Sequence, residues 1–80
     1  MAKLLFLGQL EDIAGAPDLT VPLQGPTTLA DILLMLPPIL GDALSGPKVK
    51  LALNGTLVPS ADLILIDADE LAFLPPVSGG

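Results

Sequence analysis

The C-terminal run Pro75-Pro76-Val77-Ser78-Gly79-Gly80 puts a carboxylate on the least hindered residue type available, behind two prolines that hold it away from the rest of the chain. A carboxylate is inert toward nucleophiles until an activating group, such as the AMP of ATP, turns it into an acyl donor. To meet a nucleotide inside an activating protein it must thread a narrow channel, and glycine has no Cβ to clash there. The six residues beyond Leu74 span at most about 20 Å when extended, enough to enter a neighbouring subunit's pocket. Gly80 is thus the candidate reactive residue, and Pro75, Pro76, Val77, Ser78 and Gly79 are the candidate residues that deliver it.

The remaining inventory excludes most other chemistry. The 80 residues contain no Cys, His, Tyr or Trp, and no arginine is present either. Imidazole, thiol, phenol and guanidinium are the groups that suit proton transfer, nucleophilic attack and anion stabilisation near neutral pH. What remains is nine Asp and Glu, three Lys and hydroxyls without a base beside them. The expectation is a carrier or binding module that other proteins act upon, with no catalytic side chains of its own, no bound cofactor and no metal. Missing cysteines also rule out a disulfide framework, thiolate metal sites and a persulfide on this chain. Asp67-x-Asp69 lacks the further ligands a cation needs and reads as a turn.

A net charge of −6 opposes phosphate backbones and anionic lipid, so neither nucleic acid nor membrane is an expected partner. Lys3 precedes only the short run Leu4 to Gly8, too little for a signal peptide, and Ile32 to Gly41 is interrupted by Pro37-Pro38 and far shorter than the roughly 20 residues of a membrane span. A soluble, cytoplasmic domain is expected. Yet 51% of the chain is hydrophobic, and a domain this small buries only about 60 to 65% of its unfolded surface. Some apolar side chains must form an exposed patch, which marks a partner surface.

The elements that must position the tail follow from local pattern. Lys3 to Gly8 and Asp18 to Leu23 read as strands joined by a loop, forming a hairpin. Thr28 with Asp31 resembles a capping box, and Leu29, Ile32, Leu33 and Leu36 follow at helical spacing until Pro37-Pro38 ends the helix. A short helical turn is expected over Ile39 to Leu44. Val49 to Leu53 and Thr56 to Val58 flank Asn54-Gly55, a strong two-residue hairpin signal. Asp67 to Glu70 is a turn leading into a last strand, Leu71 to Leu74. This order fits an α+β fold of the ubiquitin-like β-grasp type, a mixed sheet with one main helix packed across it. Residues 1–74 form the domain and 75–80 an extended tail.

Side-chain alternation identifies the uncovered face. Lys3, Leu5 and Leu7 share one face of the first strand, Lys50 and Ala52 of the third, and Glu70, Ala72 and Leu74 of the last. A two-residue turn opposes Ala52 and Leu57, which places Leu57 on the same side. Leu5, Leu7, Leu57 and Leu74 are the expected patch, beside the strand that launches the tail. Lys48 and Lys50 are its solvated rim.

Three segments resemble the small subunit family of molybdopterin synthase, the sulfur carriers of molybdenum cofactor biosynthesis. They are Lys3 to Gly15 at the start, Leu53-Asn-Gly-Thr-Leu-Val58 at the hairpin, and Asp69-Glu-Leu-Ala-Phe-Leu-Pro-Pro-Val-Ser-Gly-Gly80 at the end. Related thiamine sulfur carriers share the diglycine but usually lack the Phe-x-Pro-Pro-Val context. The resemblance implies a β-grasp fold and a cycle in which an ATP-dependent activating enzyme adenylates Gly80, which becomes a thiocarboxylate. It further implies insertion of the tail into the large catalytic subunit, in a heterotetramer, where sulfur converts cyclic pyranopterin monophosphate to molybdopterin. On that resemblance Gly79 shares the channel, Pro75 to Ser78 line its entrance, and Leu7, Leu57 and Leu74 meet the large subunit. The family often has Phe at the positions of Leu7 and Leu74, and Gly at that of Ala68. Two other roles share the tail chemistry: a ubiquitin-like modifier joined to target lysines, and a sulfur carrier for another pathway such as thiamine. In a passive interaction domain the tail would be dispensable.

Overall fold

The computed structural model describes residues 1–76. Its main sheet has five strands in the order β2-β1-β7-β4-β5, with β1 Ala2–Phe6, β2 Asp18–Val21, β4 Lys50–Leu53, β5 Thr56–Val58 and β7 Glu70–Leu74. The central pair β1 and β7 is parallel, and the other pairs are antiparallel, so the sheet is mixed. This is the expected β-grasp arrangement. Ala2, Leu4 and Phe6 of β1, Leu51 of β4 and Leu71 and Phe73 of β7 are buried on the inner face, as period-two alternation requires. Phe6 and Phe73 are register partners whose rings stack 5.9 Å apart between centroids.

The helical layer departs from one main helix. It consists of α2, Leu29–Leu34, and α3, Pro38–Leu44, and Ile32, Leu36, Leu40 and Leu44 supply its buried side chains. Thr28 caps α2 by accepting a hydrogen bond from the Asp31 N–H at 3.3 Å. Pro37 and Pro38 divide the layer: neither has an N–H to continue the first helix, while the fixed φ of Pro38 suits the first position of the next.

The connection between β1 and β2 is not a plain loop. It holds a third helix, α1 Gln9–Ala14, which buries Leu10 and ends at Gly15, whose φ of 79° lets its N–H reach the Glu11 carbonyl. The second strand is shorter than expected because Pro22 follows Val21 and cannot donate to the ladder, though Leu23 beyond it is buried. Two-residue strands β3, Thr27–Thr28, and β6, Ile64–Leu65, pair separately, and Leu65 is fully buried. No helix among the described residues is long and apolar enough to cross a membrane.

Candidate functional site

The outer sheet face carries a continuous row, Leu5–Ala72–Ala52–Leu57, running across β1, β7, β4 and β5 in register. The hairpin geometry puts Leu57 there, since Asn54 and Gly55 take φ of 50° and 88° and so oppose Ala52 and Leu57. Leu57 is 67% exposed and Leu7 43% exposed. Leu5 and Leu74 are only half-buried rather than free, because each lies on an inner strand of the sheet with neighbours on both sides. The two alanines between Leu5 and Leu57 leave a shallow floor between larger walls. Leu5, Leu57 and Leu74 share this face in register, Leu7 lies exposed one residue past the end of β1, and the patch adjoins the end of β7.

Three features at that end direct the chain onward. The Leu7 N–H donates to the Phe73 carbonyl at 3.1 Å, extending the parallel ladder one step past β1. Gly8 follows with φ of 55°, and a Cβ built on it would lie 2.9 Å from Cγ of Pro75. Pro75, half-buried, therefore rests on the bare backbone of Gly8, where an L side chain has neither the space nor the favoured backbone angle. Pro76 is exposed. Val77, Ser78, Gly79 and Gly80, the expected delivery and cargo residues, lie outside the described residues. Alternation predicts the leucine face but not the role of Gly8. Its signal is a lone glycine between a strand and the polar start of α1.

The opposite end of the sheet is a locked turn. Asp69 accepts from the Ile66 N–H at 2.9 Å through one carboxylate oxygen and from Asn54 Nδ2 at 3.0 Å through the other. The Ile66 amide and then Asn54 hold its carboxyl below the usual aspartate range. Asp67 is also lowered, chiefly by the N-terminal ammonium 2.9 Å away. Both carboxylates thus serve the fold of the turn, in line with the reading of Asp67-x-Asp69 as structural.

A second set of exposed apolar residues lies outside the expected patch. Leu34, Met35 and Ile39 stand exposed around the α2–α3 junction, Leu34 at 82% and Ile39 at 78%. The proline break turns Leu34 and Ile39 away from the core that Ile32, Leu36 and Leu40 fill.

The sequence pattern of the ThiS family matches residues 4–80. The molybdopterin synthase sulfur carrier subunit of Escherichia coli (strain K12) is 38% identical over 82 residues, covering all of both chains. SAMP1 of Haloferax volcanii superposes with a TM-score of 0.79 at 26% identity, covering 99% of this chain and 98% of that one. Subunits 1 and 2 of the molybdopterin-converting factor from Helicobacter pylori form a protein–protein complex, and a chain of it superposes with a TM-score of 0.68, covering 99% of this chain and 97% of its own, a likeness of fold at 23% identity. The full-length match to the E. coli subunit and the pattern that runs through the diglycine together place this chain in the ThiS family of sulfur carriers.

Proposed function

We propose that this chain is the sulfur-carrying small subunit of a cytoplasmic molybdopterin synthase. The 38% identity to the E. coli sulfur carrier subunit over the full length of both chains carries the reading. The leucine face beside the last strand supports it, because a carrier that hands over its end needs a docking surface at the base of that end. In this reading residues 1–74 are the docking body and 75–80 the delivered tail. An activating enzyme adenylates the Gly80 carboxylate with ATP, releasing pyrophosphate. A sulfur donor then displaces AMP, leaving a thiocarboxylate. Leu7, Leu57 and Leu74 seat the body on the large subunit, while Pro75 and Pro76 aim Val77, Ser78, Gly79 and Gly80 into its catalytic pocket. The carrier binds no cofactor and contributes no catalytic side chain; the large subunit performs the conversion of cyclic pyranopterin monophosphate within a heterotetramer.

Intact mass of the protein purified from cells with the activating pathway tests this directly. A species with one oxygen of the terminus exchanged for sulfur is expected, and Gly80→Ala should impair transfer without unfolding the domain. Absence of that species, or full cofactor synthesis by a chain lacking Gly79-Gly80, would defeat the proposal.

A second reading is favoured by the likeness to SAMP1, small archaeal modifier protein 1, of Haloferax volcanii and of Methanosarcina acetivorans, at 26% and 27% identity. The same adenylated terminus would then be joined to lysines of target proteins. Branched peptides carrying the Gly-Gly remnant on a lysine would identify that outcome.

A further inference from the structure

The chain has three cationic side chains, Lys3, Lys48 and Lys50, with none between Lys3 and Lys48. Register places Lys3 and Lys50 on the outer face, Lys3 opposite Glu70 and Lys50 opposite Leu74, the last strand residue before the tail. Lys48 is exposed two residues ahead of Lys50. Of the nine side-chain carboxylates, Glu70 and Asp18 share this face, Glu70 opposite Lys3 and Asp18 opposite Leu5 on β2, and the other seven lie elsewhere: Glu11 and Asp12 on α1, Asp31 and Asp42 on the helical layer, and Asp62, Asp67 and Asp69 in the connections flanking β6. Lys3 thus has Glu70 across from it, while Lys50 stands across from an apolar residue at the root of the tail, a cation on an acidic protein. Among the described residues the ion pair is that of Met1 with Asp67, and no described carboxylate lies within 4 Å of the Lys50 ammonium.

Lys50 also borders two shallow recesses. One is lined by its own stem with Leu57, Val58 and Pro59, the other extends past Pro47, Val49 and Ser60. An aliphatic stem laid along an apolar wall, with its ammonium free, is built to receive a carboxylate while the wall covers that group's methylenes. Nucleic acid is a poor occupant, because two adjacent lysines face the field of a chain carrying −6.

We infer that Lys50 selects the partner: the recess between Lys50 and Leu57 takes an acidic side chain of the large subunit, whose carboxylate pairs with Lys50 Nζ as the tail enters. This rests on the functional reading above. Lys50 is continuous with the leucine face, so the pair forms at the rim of the same contact. At a rim, charge acts mainly on encounter rate and on rejection of wrong partners, and less on final affinity. Lys48 adds to the same field. Leucines alone would fit many apolar surfaces; the ammonium distinguishes those with a carboxylate in the matching place.

The test uses the full chain and the large subunit encoded by the same organism. Association is followed by rapid mixing at low and high salt for the wild type, Lys50→Met and Lys50→Glu, with thermal unfolding as the control for fold. Lys50→Glu should slow association about tenfold at low salt, Lys50→Met should fall between, and the differences should shrink as salt rises. Carbodiimide, which joins an ammonium group to a carboxylate in contact, should yield a cross-linked peptide between Lys50 and an Asp or Glu of the large subunit. Equal association rates for all three proteins at low salt, or cross-links that never include Lys50, would overturn the inference while leaving the carrier function standing. No association by the wild type would overturn the functional reading and this inference with it.

Discussion

Asn54 and Glu70 exchange two hydrogen bonds: the Asn54 N–H donates to the Glu70 carbonyl at 2.7 Å, and the Glu70 N–H donates to Asn54 Oδ1 at 2.9 Å. One turn residue of the β4–β5 hairpin thereby grips the first residue of β7, and its Nδ2 reaches Asp69 as well. The grip sets the register in which Ala52 faces Ala72, and so brings Leu57 into line with Leu5. A turn at one end of the sheet thus organises the outer leucine face that leads to the tail at the other.

Replacing Asn54 with Ala removes the side-chain bonds and puts a Cβ-bearing residue without a polar group at positive φ. Asn54→Ala should lose about 2 kcal/mol of stability, lowering Tm by roughly 10 °C in a domain of this size. Asn54→Gly keeps the turn angle and loses only the bonds, so its loss should be smaller. Thermal unfolding followed by circular dichroism separates the two.

Ala68 holds φ of 78°, a left-handed conformation that L residues other than Asn and Asp seldom adopt. Its N–H donates to the Met1 carbonyl at 3.2 Å, an interaction glycine keeps. Ala68→Gly should therefore raise stability by about 0.5 to 1 kcal/mol, against the usual sign for this exchange. A Tm at or below the wild-type value would contradict the strain argument.

Acid should loosen the same turn. The Asp69 carboxyl is held below its ordinary value of 3.8 when folded, so below that value the unfolded chain binds more protons than the folded one. The stability it contributes is present above about pH 4 and is lost as pH falls through the lowered folded value. Asp67 adds a contribution of the same sign through its exposed pair with the N-terminus. Denaturant unfolding at a series of pH values should show a steep acid limb for the wild type and a shallower one for Asp69→Asn, which starts from lower stability at neutral pH.

The two exposed apolar clusters should differ in function. Leu57→Glu alters a side chain already 67% exposed, so stability should move by no more than about 0.5 kcal/mol while binding to the large subunit weakens by about 2 kcal/mol. Leu34→Gln, on the helical side, should leave that binding unchanged. Titration calorimetry of both variants reads the contrast. Equal effects would remove the sheet face from its assigned role.

Local rules made much of this protein legible from its residues. Asn54-Gly55 forces a two-residue turn, alternation then sends Leu57 outward, Thr28 caps a helix that Pro37-Pro38 must break, and each result depends only on backbone angles within a few residues. The expectation of a carrier likewise follows from what the inventory lacks, and the match to the E. coli sulfur carrier subunit agrees with it. Helix α1 was hidden because six residues with a single buried leucine carry too weak a period to stand apart from a loop. The same holds for β3 and β6, whose two-residue strands exist only because the fold brings them side by side. Tertiary structure alone decided that Pro75 rests on Gly8, that Leu5 and Leu74 are half-covered, and that Leu34 and Ile39 stand in solvent. These depend on the parallel pairing of β1 with β7 and on how the broken helical layer packs, contacts between segments far apart in the chain, which only closure of the whole core can specify.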